Sequence, residues 1–449
     1  MSANYVATTN ACKMCTPMGA SLAFLGIEGG VPYHHGSQGC STYMRRYIIS
    51  HYREPVDIAS SSLGEKHAVY GGGPNFKKGL LNVMRKYEPK VIGIASTCLT
   101  ETIGDDLHML TAEFKEEFGD LDLPELVYVS TPSYAGSHME GFHGAVRAVC
   151  GQIASDDGPH GGVNLLGGFV SCEDIRWYNR ILADFGIKGV VLPDYSMTLD
   201  GPSLTDYQRI PVGGTPLAGI KSMGNAAVTI ELGRAIPEKL SGALALQDRF
   251  DVPAVRLGLP IGLRETDRFI EELERVSGRE APDHERDARG RLVDAYVDGH
   301  KYLYGKRAVV YGEEDLVIGV CAFLAEIGVQ PVLAASGQST GKLEAAIREV
   351  TDGLVREDVQ TASNVDFYEI AELAESLKPD LLVGHSKGYR YAKEWDVPLI
   401  RVGFPIHDRF GGQRINHVGY HGAQALFDRI VNAVIEYKQS HNSVGYGYI

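Results

Sequence analysis

The chain has 449 residues, 44% apolar and 22% charged, an ordinary globular composition and enough length for roughly two to four cored domains. Its net charge of −14 argues against a nucleic-acid partner, and no apolar run approaches the roughly 18–20 residues of a membrane span, so no membrane association is expected. The opening MSANYVATTN has neither a charged n-region nor an apolar core, and seven cysteines is an odd number, so a cytoplasmic protein is expected whose thiols serve a metal or catalysis before a disulfide framework.

In chain order, the first signal is ACKMCTPMGASLAFLGIEGGVPYHHGSQGC (11–40), with three of the seven cysteines. Cys12 and Cys15 form a C-x-x-C pair, a pattern shared by redox, zinc and iron–sulfur sites, and no strand pattern precedes it. Cys40 follows HGSQG and precedes STYMRRYIISHY, which reads as a helix; a sulfur near a helix N-terminus favours the thiolate. YGGGPNFKKG (70–79) reads as a tight turn. Residues 1–90 carry ten Lys or Arg against five Asp or Glu, so the cysteine-rich end is the basic end, suited to an anionic cofactor or an acidic docking partner.

KVIGIAS (90–96) reads as a strand, and Cys98 follows it at the carboxyl end, where α/β sheets place ligands. ELVYVS (125–130) and VNLLGGF (163–169) are further strands, with GQIASDDGPHGG (151–162) as a linker between them. SCEDIRWYNRILADFG is helical and IKGVVLPD (187–194) returns as a strand. The charged VSGREAPDHERDARGR (276–291) reads as a loop or linker. KRAVVYG (306–312), EEDLVIGVCAFLAEIG (313–328) and QPVLAAS (330–336) make one βαβ unit, and DVQTASNVDFYEIAELAESL through PDLLVG to VPLIRVGF makes another. Near-continuous apolar strands of this kind belong to parallel sheets covered on both faces. The expected class is α/β, with three Rossmann-like parallel-sheet domains over 1–160, 161–290 and 291–449.

Several chemistries can be weighed on these elements. No G-x-x-x-x-G-K-[ST] occurs, and Glu313, Glu314 and Asp315 at the clearest strand-to-helix turn would repel a phosphate, so ATP hydrolysis is not expected here. Gly384-His385-Ser386-Lys387-Gly388 is a G-x-S-x-G between a strand and a helix, the setting of a serine hydrolase nucleophile, with Asp396 or Asp408 and His407, His417 or His421 as later partners. Only about sixty residues follow Ser386, too few to complete the usual sheet, so the segment reads as a Gly-Ser turn at a strand end, with the hydrolase a remote alternative. For the cysteines, Cys15, Cys40 and Cys98 each stand beside glycine or at an element end. Gly36 and Gly39 would let backbone N–H groups approach a bulky cofactor. Three thiolates on loops with backbone donors suit an iron–sulfur cluster whose fourth ligand is a serine or comes from another subunit. Each alone could also be a small buried hydrophobe, the reading kept for Cys150, Cys172 and Cys321.

CTPMGASLAFLGIEGGVPYHHGSQGCSTYMRRYIISHYREPVDIASSSLGEKHAVYGGGPNFKKGL, then STCLTETIGDDL, TPSYAGSHMEGF, RGRLVDAYVDGHKYLYGKRAVVYGEEDLV and VPLIRVGFPIHDRFGGQRINHVGYHG, resembles the β-type chain of nitrogenase component 1 over nearly the whole length. The resemblance implies three α/β domains, the first binding a cluster and docking a partner. It implies pairing with a homologous α-type chain as an α2β2 tetramer. It also implies an [8Fe-7S] P-cluster at the α/β interface, fed by a separate ATP-dependent iron protein and feeding a metallocluster in the α-type chain. Cys15, Cys40 and Cys98 match the β-side cluster thiolates, and Ser133 in TPSYAG matches a serine that can ligate oxidised cluster iron. Tyr43 matches an aromatic beside the cluster, next to Gly39, and Tyr70 one on the iron-protein docking surface. Cys12 has no place in the family pattern, and the chain begins almost at the cluster motif. That short start and GHSKGYR…VGFPIHDRFGGQR look closer to nitrogenase-like reductases, methylthio-alkane reductase among them, and to the N chain of the cofactor-assembly scaffold, which needs only a [4Fe-4S] cluster. The full set of thiols with Ser133 favours the reductase.

Overall fold

The computed structural model describes residues 10–159 and 161–443, so MSANYVATT lies outside it. The first sheet grows from α1 (Thr16–Leu25), β1 (Gly30–His35), α2 (Gln38–Tyr52), β2 (Ala59–Ser60), α3 (His67–Tyr70), α4 (Gly73–Tyr87), β3 (Val91–Ser96), α5 (Cys98–Ile103), α6 (Leu107–Phe118), β4 (Glu125–Val129) and α7 (His138–Gln152). Its order is β2-β1-β3-β4, all parallel, and every residue of β1 and β3 is buried. Val31, Tyr33, Phe76, Leu80, Ile92 and Phe114 form the core of one face.

One strand went unread in the sequence and one local reading changes. GVPYHH shows no strand pattern because Gly30, Pro32 and two histidines break the apolar run, yet it is β1, inside the sheet. β2 pairs only with Tyr33 and His34, which leaves that edge of β1 unpaired at Pro32 and removes the usual objection to proline there. YGGGPNFKKG is a turn only at Gly71, whose φ is +80°; Pro74 then stands in the first turn of α4, where its missing N–H costs nothing.

The second sheet contains β5 (Val163–Leu166), β6 (Gly189–Leu192), β7 (Val228–Leu232) and β8 (Ala254–Leu257) in the order β6-β5-β7-β8. The third contains β9 (Arg307–Tyr311), β10 (Gln330–Ser336), β11 (Gln360–Ser363), β12 (Leu381–Gly384) and β13 (Leu399–Arg401) in the order β11-β10-β9-β12-β13. Both are parallel, so the chain carries three parallel α/β sheets, as expected. It folds into two compact units. One gathers residues 15–257 and 273–279 and holds the first two sheets; the other gathers 258–272, residues from 280 onward and the described residues ahead of Cys15, and holds the third.

The expected linker over 276–291 is mostly helical. After Pro282 a helix runs Asp283–Leu303. Most of its charges are on a solvated face, while Glu285, Ala288, Leu292, Gly299 and Leu303 are buried, and Arg289 makes a two-pronged ion pair with Asp267 at 2.9 and 2.8 Å. Charge density alone did not distinguish a wet helix from a loop. Among the described residues no helix is long and apolar enough to cross a membrane.

Candidate functional site

The site is built at the carboxyl edge of the first sheet, where β1, β3 and β4 end side by side. After His35 the chain passes over Thr97 at Gly36, where a Cβ would lie 2.1 Å from Thr97 Oγ1, so only glycine fits. α2 then begins, with Cys40 in its first turn and Ser37 Oγ 3.7 Å from the Cys40 sulfur. Cys98 is the first residue of α5, and Thr100 Oγ1 in the next turn donates to His35 O at 2.9 Å. Cys15 is the N-cap of α1. The loop after β4 is stitched to the end of β3 by Thr131, whose N–H donates to Ser96 Oγ (2.7 Å) and whose hydroxyl donates to Ser96 O (2.6 Å). Two residues on, Ser133 Oγ accepts the Thr16 N–H at 3.2 Å, which puts that hydroxyl beside Cys15. Sequence segments as far apart as Cys15 and Ser133 therefore meet on one edge.

Burial sorts the seven cysteines. Cys15 is exposed and Cys40 and Cys98 are half-buried, whereas Cys12, Cys150, Cys172 and Cys321 are buried. Burial pushes all four of those thiols up, Cys12 to about 12 with the Glu313 charge adding to the effect. Those four are packed, protonated thiols. Among the described residues no group of three or more His, Cys, Asp or Glu side chains is disposed to hold a single metal ion. Three accessible thiols at three separate helix starts, with a hydroxyl beside one of them, are a donor set of the kind that fits a multi-iron cluster.

The remaining expected residues fall at or near this edge. Tyr43, one turn past Cys40, is 66% exposed. Gly39 is exposed, and a Cβ there would meet only Ser37 Oγ at 3.9 Å, so the fold itself does not demand glycine; Gly36 is the position that does. Tyr70, at the end of α3, is 85% exposed beside the equally bare Val69. Two features were missed from the sequence. Tyr134, next to Ser133, is 69% exposed, and only its place in TPSYAG could have flagged it. His34 and His35 are buried in β1, and each ring nitrogen of both finds a polar partner.

His34 and His143 carry a pH prediction. Burial pulls each from 6.5 to about 4, with the Arg256 charge adding to the effect at His143. Both are neutral when folded, and unfolding lets them bind protons below about 6.5, so stability rises with pH across that window and is lost as pH falls toward 4. The melting temperature should drop between about pH 7 and about pH 4.5; a flat profile over that range would refute the neutral assignment.

Cys12 and Ser386 lie in the other unit. Cys12 packs in the core of the third sheet with Tyr311 and Phe367, its sulfur 3.7 Å from His385 Nε2. It is a core thiol. Ser386 does follow β12, but it is buried and hydrogen-bonds directly to Asp408, while its Oγ accepts the His407 N–H at 3.1 Å. Although burial works against ionisation, hydrogen bonds from Arg401 and Ser386 hold Asp408 below the usual carboxylate range, and Arg401 grips it at 2.7–3.0 Å. A hydrolase nucleophile needs a histidine between serine and carboxylate. Ser386 braces a loop. Fluorophosphonate should leave it unlabelled, and Ser386→Ala should cost about 1–2 kcal/mol of stability, read from denaturant midpoints.

Residues 15–435 match the family model described as nitrogenase component 1 type oxidoreductase. The chain is 34% identical to the nitrogenase molybdenum-iron protein beta chain of Clostridium pasteurianum, with 95% of this chain and 93% of that one covered. It is also 34% identical to the nitrogenase vanadium-iron protein beta chain of Trichormus variabilis, with 94% of each covered. With the molybdenum-iron beta chain of Azotobacter vinelandii the identity is 35%, over 96% of this chain and 84% of that one. A solved structure described as nitrogenase Cp1 at pH 6.5 superposes with a TM-score of 0.93 at 32% identity, covering all of this chain and 98% of the other.

Proposed function

Because the chain belongs to the nitrogenase component 1 type oxidoreductase family, as a β-type subunit, we propose that it is the β-type half of a cytoplasmic nitrogenase-like reductase. In this reading it pairs with a homologous α-type chain as α2β2 and holds its share of an [8Fe-7S] P-cluster with Cys15, Cys40, Cys98 and Ser133. An ATP-dependent iron protein docks over the surface bearing Tyr70, and the substrate is reduced at a metallocluster in the partner, with the carbon–sulfur bond of a methylthio-alkane as the leading candidate. Similar identity to the molybdenum-iron and vanadium-iron beta chains supports a reductase distinct from both.

One observation carries this reading: Cys40 follows β1, Cys98 follows β3 and Ser133, beside Cys15, follows β4, and these three thiols are accessible while the other four cysteines are buried. When bound, an iron–sulfur cluster supplies one-electron storage at a potential set by burial and by hydrogen bonds to sulfur. The chain's own part is to present the thiols and tune them. Ser37 stands over the Cys40 sulfur, its hydroxyl 3.7 Å away. Ser133 offers a hard oxygen that suits the more oxidised iron, and leaving the Thr16 N–H is the cost of using it. Tyr43 and Tyr134 are bare in the single chain and would be covered by the partner.

The test is an anaerobic count of iron and acid-labile sulfide, with EPR, on the chain co-purified with its α-type partner. About eight irons per interface beyond the partner's own cofactor are expected. About four would make the chain a scaffold N-type subunit instead, and none would reduce the thiols to packing.

A further inference from the structure

Buried polar rings must place both nitrogens, and His34 does so in a way that joins two of the thiol-bearing helices. The ring is fully buried at the carboxyl end of β1. Its Nε2 lies 2.7 Å from Ser21 Oγ, on α1, the helix that begins at Cys15. Its Nδ1 lies 3.1 Å from Ser41 Oγ, on α2, and Ser41 is the residue after Cys40. Hydrogen-bond geometry assigns the protons. The one Ser21 hydroxyl proton is assigned to Pro17 O at 2.9 Å; toward the ring Ser21 then accepts, and Nε2 carries the hydrogen. A neutral ring then has a bare Nδ1, which accepts the Ser41 O–H. The tie runs in one direction, from Ser41 through the imidazole to Ser21 and on to the backbone of the first turn of α1.

We propose that His34 is a positioning residue: a neutral Nε2–H imidazole that ties α1 to α2 and thereby sets the spacing of Cys15 and Cys40. The inference rests on the reading above, in which those thiols share one cluster. The same face of the sheet receives α1 so closely that Gly93 has no room for a side chain beside Phe24, so the helix is fixed against the sheet near its C-terminal end and by His34 at its middle.

The experiment compares wild type with His34→Leu, which keeps bulk and removes both bonds, with His34→Gln, which keeps a donor and an acceptor, and with Ser41→Ala and Ser21→Ala, which each cut one end. Two readouts are taken on the complex: iron per interface with the cluster midpoint potential, and amide hydrogen exchange over residues 15–21 and 38–44. His34→Leu should lose at least half its iron or shift the potential, and exchange in both segments should rise about tenfold, the scale of one lost buried hydrogen bond. His34→Gln should restore most of the iron, and either serine variant should loosen both segments. Unchanged iron, potential and exchange in a folded His34→Leu would overturn the proposal. Should that variant fail to fold, the serine variants decide: loosening confined to the mutated helix overturns the tie. A wild-type complex without iron would sink the cluster reading, and the exchange data would still decide whether His34 couples the two helices.

Discussion

Cys98→Ala should abolish the interface cluster and turnover while leaving the chain folded. Cys98 is the first residue of α5 and half-buried, so trimming its thiol opens no core cavity and removes no buried polar partner. A substitution of that kind changes stability by about 0.5 kcal/mol or less. Its backbone carbonyl still accepts from Thr102 at 2.7 Å, so the helix start survives. The consequence falls on the donor set, which loses one of three thiols. Cys321→Ala should behave in the opposite sense. Cys321 is fully buried in the helix Glu314–Glu326, so its removal should lower the melting temperature and leave iron unchanged. Iron counts and melting curves on both variants check the pair, and normal turnover in Cys98→Ala would end its assignment to the cluster.

The second large effect belongs to residues with no chemistry of their own. A Cβ at Gly19 would sit 1.6 Å from His138 O, and one at Gly141 would sit 1.8 Å from Thr16 O. These are reciprocal contacts between α1 and α7, and each obstacle is a backbone carbonyl that cannot rotate aside. Gly19→Ala or Gly141→Ala must push the helices apart, at a cost of about 3 kcal/mol or more. The shift would also part Cys15, which caps α1, from Ser133, which precedes α7, so iron should fall along with stability. Gly39→Ala is the matched control, since its Cβ meets nothing nearer than 3.9 Å and the chain itself should tolerate it. Urea midpoints for the three variants check the ranking; wild-type stability in Gly19→Ala would mean that the helices are not clamped at this crossing.

Much of this fold was legible in the sequence because its strands are short apolar runs between glycine-bearing turns. β3, β4, β5, β6, β9, β10 and β12 all fall within stretches read as strands. β1 was not legible, because His34 and His35 look like surface residues until Ser21, Ser41, Ser61 and Asp105 arrive from elsewhere in the chain to satisfy them. The helix Asp283–Leu303 was hidden by its own charges, which outnumber the four small or apolar residues that anchor it. At the site, Cys40 could be picked out by its place at a helix start and Cys98 by its place at the carboxyl end of a strand, whereas spacing alone made Cys12 and Cys15 look like a pair. Only tertiary packing separates them, by burying Cys12 against His385. Gly19 and Gly141 carried no signal either, since a close helix crossing is a property of two segments and neither shows it alone.

The segment just ahead of Cys15 also bears on how the protein is made. Asn10 O accepts the Phe367 N–H, Ala11 bridges to Asp366 and receives a hydrogen bond from Lys387 across 376 residues, and Gly337 lies flat against Cys12. A ribosome finishes residues 10–14 hundreds of residues before the partners that hold them. The peptide leading into Cys15 therefore stays loose throughout translation and is fastened only when the third sheet has formed, a long-range closure that belongs to the slow end of folding. Biogenesis thus keeps Cys15 untethered on its N-terminal side until the third sheet has been made, and a premature stop anywhere before Lys387 leaves that fastening incomplete.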